Sequence, residues 1–233
     1  MTVLAIVASR GAPQSFRSRD GGRLRVVRER AVAAVVTNRM ERSAPTARNL
    51  RRYDRLMREL AERFPAILPV RFGTRMAEDE LKSVLASRRS VLARALVHVR
   101  KRVQMTIRVV RPDAAQNPFV PRLPPDLSTG ALPGEVEGGS YGKLTGRDYL
   151  RSRARAAAAQ RAIPGFEPVR NAVARWVRDE RVERRTGVSS VYHLIPRSSA
   201  DAYRHAAQTS AASSGLTAIV SGPWPPYAFA AFE

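Results

Sequence analysis

Three histidines, His98, His193 and His205, are the first side chains to weigh for metal binding or acid–base work. They fall in unrelated stretches and no two stand four apart, so no helical ligand pair arises. Each reads as an ordinary surface or core residue. Glu78, Asp79 and Glu80 form an acidic run that could attract a divalent cation. They also open a helix, where the macrodipole favours carboxylates, and that accounts for the run without a metal. No phosphate-binding GxxxxGK[ST] loop, GxSxG elbow or HExxH zinc signature occurs. The glycines from Gly134 to Gly142 do not sit between a strand and a helix, so they form no phosphate cradle. Without cysteine there are no disulfides, thiolate metal sites or cysteine nucleophiles. The expectation is a non-enzymatic protein with no cofactor.

Aromatic and proline residues are what remains. Near the C-terminus an apolar run, Leu216 to Val220, enters Gly222-Pro223-Trp224-Pro225-Pro226-Tyr227-Ala228-Phe229. Proline has no N–H and a fixed φ, so the run is expected to end at Gly222 and give way to an extended ribbon or rigid turn. Trp224, Tyr227 and Phe229 carry too much apolar surface to leave in water together. They either pack on their own domain, the favoured reading, or present a stiff aromatic edge to a partner. A second stretch, Arg71-Phe72-Gly73-Thr74, has the flavour of a single-strand RNA-binding strand but lacks its spacing and second aromatic.

The elements that must position these residues follow from periodicity. Residues 2–8 are apolar and too short, without a basic lead, to be a signal peptide, so they read as a buried strand. Leu24, Val26 and Val27 start an edge strand, and residues 31–37 are small and β-branched. Ser43-Ala44-Pro45-Thr46 supplies helix-start chemistry, followed by Leu50, Tyr53, Met57, Leu60 and Phe64 on one face until Pro65. Ile67 to Thr74 is a strand that Pro69 pushes to an edge. The helix from Glu78 presents Leu81, Val84, Leu85, Leu92, Leu96 and Val99, and Val103 to Val109 alternate as a strand buried on one face. Helices on one face of a mainly antiparallel sheet, an α+β modified ferredoxin-like unit over 1–110, would bury these stripes.

Six prolines and six glycines fall between 111 and 146, so 111–144 reads as a linker and the segment most open to protease. A smaller α+β unit over 145–233 follows. It begins with a helix capped by Thr145 and Asp148, running from Tyr149 to Arg161, then an apolar face of Phe166, Val169, Val173, Trp176 and Val177. A strand from Val188 to Ile195, a weak helix from Ser199 to Ser213 and the last strand complete it.

The 233 residues carry 41 basic against 20 acidic side chains, a formal charge of +21. That raises a basic, ferredoxin-like nucleic-acid-binding module as the alternative function. Only Lys82, Lys101 and Lys143 among the bases are lysine, and the arginines are dispersed and not massed in one block. A soluble basic surface is therefore preferred and nucleic acid disfavoured. No run approaches the roughly 18 apolar residues of a membrane span, and nothing directs the chain out of the cytoplasm.

Several stretches, in order, resemble the gas vesicle GvpL/GvpF family: Val3 to Val7, Ala34 to Thr37, Leu68-Pro69-Val70-Arg71-Phe72-Gly73-Thr74, Gly146-Arg147-Asp148-Tyr149-Leu150 and Ser221 to Phe229. The third and last are specific, and together the five span nearly the whole chain. Tyr53 departs from the pattern, standing where members often carry histidine. The resemblance implies a two-domain, non-enzymatic accessory protein of gas vesicle formation that engages the small hydrophobic shell protein and other accessory proteins. It implies a location at the gas vesicle.

Overall fold

Two runs of small and β-branched residues make the centre of the first sheet. β1 (Thr2–Ala8) and β4 (Val32–Thr37) are buried along almost their whole length. In the computed structural model, which describes residues 1–38, 45–110 and 163–230, they pair antiparallel. β2 (Ser15–Arg17), β3 (Arg23–Glu29) and β5 (Ile67–Pro69) complete the order β2-β3-β4-β1-β5. Pro69 sits on the edge strand β5, as its missing N–H requires. Leu4 is an extra residue between Val3↔Val36 and Ala5↔Val35, a bulge that turns Leu4 and Ala5 to the same side.

A strand buried on both faces needs a layer on each. The helices do not gather on one face, as the periodicity suggested, but divide. α1 (Ala47–Arg63) lays Tyr53, Met57 and Leu60 over Leu4, Val7, Ala33 and Val35. α2 (Glu78–Ser87) and α3 (Arg89–Val99) lay Leu81, Leu85, Leu92, Leu96 and Val99 over Val3, Ile6, Ala34 and Val36. Thr46 caps α1 by accepting from the Asn49 N–H at 3.3 Å. Two side chains assigned to buried faces are exposed, Leu50 at 43% and Val84 at 37%. Leu50 lies in the first turn of α1, ahead of Tyr53, the first buried residue of the helix.

β6 (Arg102–Val110) precedes residue 111 in sequence, yet its strand partners all lie between 188 and 224. With β7 (Asp179–Arg185), β8 (Val188–Pro196) and β9 (Ala218–Trp224) it forms a second antiparallel sheet, order β7-β8-β6-β9. Val103, Met105, Ile107 and Val109 face α4 (Glu167–Val173) and α5 (Ala200–Ser213), which bury Phe166, Val169, Val173, Tyr203 and Ala207. The other face turns Leu194 into the core shared with α2 and α3. The architecture is α+β with antiparallel sheets. The expected linker over 111–144 and helix over 149–161 lie outside the described residues.

If both faces of the first sheet are core, one truncation on each should cost alike. Leu60→Ala, under α1, and Leu85→Ala, under α2, are both fully buried and should each lose about 2–5 kcal/mol in denaturant unfolding. A near-neutral Leu85→Ala would contradict the second layer.

Candidate functional site

The Gly222 to Phe229 stretch is built on the β6–β9 ladder. Pairing runs Val109↔Ala218, Arg108↔Ile219, Ile107↔Val220 and Thr106↔Ser221, then resumes at Gln104↔Trp224. Gly222 and Pro223 therefore stand opposite Met105 alone, a bulge in β9. Gly222 has φ +117°, and a Cβ there would lie 2.8 Å from the Gln104 carbonyl oxygen and 3.0 Å from the Met105 sulfur. Only glycine fits. The strand does not end at Gly222 as expected: it runs on through Pro223 to Trp224. An outermost strand at a bulge tolerates proline, and the Gly222–Pro223 peptide is cis.

Beyond Trp224 the chain folds back. Pro225 and Pro226 are buried, and Tyr227–Phe229 forms a 3-10 turn. The Ala228 N–H donates to Gln104 Oε1 at 2.8 Å, while Gln104 Nε2 donates to Thr106 Oγ1 at 3.3 Å. Phe229, 4% exposed, enters the core that contains Leu85 and Leu194. Arg181 covers its ring at 5.4 Å and donates to the Ala228 carbonyl at 2.6 Å.

Trp224 is only half-buried. Its indole N–H donates to Ser221 Oγ at 3.4 Å, and the Arg58 guanidinium lies 4.2 Å from the ring centre. Arg58 is held by Asp54 at 2.9 Å, and the Tyr227 hydroxyl meets the other Asp54 oxygen at 3.5 Å. Burial, with Asp54 beside it, pushes the Tyr227 hydroxyl up. The tail thus clasps α1 through Trp224 under Arg58 and the Tyr227 hydroxyl on Asp54, the two ends of an ion pair within the helix.

The Arg71-Phe72-Gly73 turn comes to the same place. Phe72 meets Tyr53 edge-on at 5.4 Å. The Tyr53 hydroxyl donates toward the Val70 carbonyl and lies 3.2 Å from that of Leu4. Phe72 and Tyr227 pack on the same cluster as Tyr53. Gly73, at φ +82°, closes the turn with Thr74 donating to the Arg71 carbonyl through its N–H at 3.2 Å and its hydroxyl at 2.8 Å. Most of the motif side chains are thus anchors, with Arg71 and Pro223 left in solvent. Beside the tail lies an open groove of about 430 Å³ lined by Gln104, Arg181, Glu183, Tyr192, Tyr227 and Ala228. Such an arrangement can hold surfaces together and offer an edge for binding.

The histidines divide. His98 on α3 meets Asp179 at 3.0 Å across the two sheets. His205 sits on α5. His193 is fully buried, with Nδ1 2.6 Å from the Tyr203 hydroxyl and Nε2 2.8 Å from Glu180, which also takes Arg170 at 3.1 Å. The Tyr–His–Glu order resembles a catalytic relay, yet His193 and Tyr203 are sealed from solvent. Its chemistry is structural, tying α4 and α5 to the sheet. Glu180 could not be picked out beforehand because β7, Asp-Glu-Arg-Val-Glu-Arg-Arg, shows no apolar alternation. Among the described residues no group of three or more His, Cys, Asp or Glu could hold a metal ion.

Burial opposes ionisation of Glu180, but His193 and Arg170 outweigh it and bring the carboxyl down to about 2. An unfolded glutamate titrates near ~4.3. The Glu180 contribution is therefore complete above about pH 5 and fades as pH falls toward 2. Unfolding of Glu180→Gln beside wild type should show a deficit at neutral pH that shrinks below about pH 4, and a constant deficit would refute the ionised pair. Phe229→Ala should cost about 3–5 kcal/mol, and the half-exposed Trp224→Ala clearly less. Gly222→Ala should cost about 1–3 kcal/mol through the clash with Gln104.

Known proteins bear on the reading at this point. The crystal structure of the gas vesicle protein GvpF from Anabaena sp. PCC7120 superposes with a TM-score of 0.65 at 12% identity, covering 100% of this chain and 98% of that one. GvpF from Microcystis aeruginosa superposes with a TM-score of 0.66 at 10% identity, covering 99% and 98%. At that identity the likeness shows the fold. No curated protein sequence matches the chain significantly. The sequence model of the gas vesicle synthesis protein GvpL/GvpF family matches residues 3–231, and the chain belongs to that family.

Proposed function

We propose that this chain is an accessory protein of gas vesicle formation, acting by binding the hydrophobic shell protein and other accessory proteins during assembly. The observation that carries this is the family match over residues 3–231, supported by the likeness to the GvpF fold. Its role is contact and not catalysis, in keeping with the sealed His193 network. It works in the cytoplasm at the forming vesicle; no helix among the described residues is long and apolar enough to cross a membrane. The chain is read as two units, a modified ferredoxin-like one over 1–110 and an α+β one over 145–233, with β6 passing from the first into the sheet of the second. The tail and the Arg71 turn offer Arg71, Pro223 and the open side of Trp224 to partners, and otherwise hold the units together.

A nucleic-acid role has the +21 charge in its favour. Ferredoxin-like RNA binders read bases on an open sheet face carrying aromatic side chains. Both faces of the first sheet are covered by helices, which weighs against that mode.

A protein that shields an apolar shell subunit should bind it mainly by burial, which salt does not weaken, while charge acts on encounter. Titration against purified shell protein should give nearly constant affinity from about 50 to 200 mM salt with slower association at the higher. A steep loss of affinity, with equally tight binding to RNA or DNA, would favour the other reading.

A further inference from the structure

The inner side of α2 and α3 is core, but the outer side carries a pattern that folding does not explain. From Leu81 to Lys101 there is no acidic residue, while Lys82, Arg88, Arg89, Arg94, Arg100 and Lys101 are basic. Three valines stand in solvent there: Val84 at 37%, Val91 at 39% and Val97 at 73%. Valine is a poorer helix former than alanine. At 73% exposure Val97 recovers nothing from packing.

Three of the acids at the margins of this face are already engaged. Glu78 holds Arg25 and Lys82, Glu80 accepts from the Ala77 N–H, and Asp179 of β7 holds His98. Arg94, Arg100 and Lys101 have no side-chain partner among the described residues. Helical spacing sets Val91, Arg94 and Val97 three apart in turn, one stripe alternating apolar and basic, and Arg100 and Lys101 follow just beyond the end of the helix at Val99.

We propose that this stripe docks an acidic amphipathic helix from a partner protein. Short β-branched side chains fill gaps between the apolar residues of an incoming helix, and Arg94 meets the carboxylates along its flank. A lipid surface would call for the leucine, phenylalanine or tryptophan that anchors a helix in a bilayer interface, and the outward stripe of α3 has none. A phosphate backbone would use the arginines but leave the valines idle. The surface is distinct from the tail clasp, and the proposal goes beyond the assembly reading because it holds whichever protein supplies the helix.

The test uses the full chain and a fluorescent peptide of about 20 residues, helical, with one leucine stripe flanked by glutamates. The same peptide with lysines for the glutamates, a duplex DNA and phosphatidylglycerol vesicles serve as rivals. The glutamate peptide should bind at least ~10-fold more tightly than the lysine peptide, and Val97→Asp and Arg94→Glu should each weaken it about 10-fold with an unchanged melting temperature. No preference for the glutamate peptide would overturn the proposal. So would indifference to Val97→Asp, or tighter binding to DNA or vesicles than to the peptide.

Discussion

At residue 222 the main chain passes so close to the carbonyl of Gln104 that a side chain has no room. That contact sets the bulge in β9, and the bulge aims everything after it. Trp224 comes under Arg58, Tyr227 reaches Asp54, and the Ala228 N–H finds the side chain of buried Gln104. Phe229 is then delivered into a core that already holds residues of β1, β4, α2, α3 and β8. The last described residues thus fasten α1, the first sheet and the second sheet to one another. A chain end with loose aromatics would be a liability in water; here the same rings are the fasteners.

Arginine does much of the remaining joining, which changes how the charge of +21 is understood. Arg197 donates to the Ala61 carbonyl at the end of α1, Arg181 to Ala228 in the tail, and Arg204 from α5 to Gly222. Arg28 and Arg102 do the same for the carbonyls of Ala12 and His98. A guanidinium presents several fixed donors on a long apolar stem, so it can cross between elements and satisfy a main-chain oxygen where lysine would hold a single point contact. Part of the basic excess is therefore internal fastening. Arg94, Arg100 and Lys101, in α3 and just after it, are among the bases with no side-chain partner among the described residues.

Much of this was legible beforehand, for identifiable reasons. β1, β4, α1 and β6 stood out because their apolar spacing matches a strand or helix period. Both candidate motifs were visible because glycine, proline and aromatic residues cluster there. What escaped depends on neighbours distant in sequence. β7 has one apolar residue, Val182, and is held by pairing with β8 and by the inward-facing Glu180. That helices cover both faces of the first sheet is a matter of connectivity, which periodicity does not encode. The passage of β9 through Pro223 needed an edge position and a bulge, both set by β6. Leu50 matches its helix face in phase, but only the tertiary arrangement shows that it is exposed.

The account rests on the tail being a fastener between the two sheets, and amide hydrogen exchange reads that directly. In Phe229→Ala, protection should fall in α1, around Asp54 and Arg58, and in α2 near Leu85, as well as in the tail itself. Loss confined to the residues after Trp224, with α1 and α2 protected as in wild type, would mean that the tail only rests on the surface and that the two sheets are joined by something else.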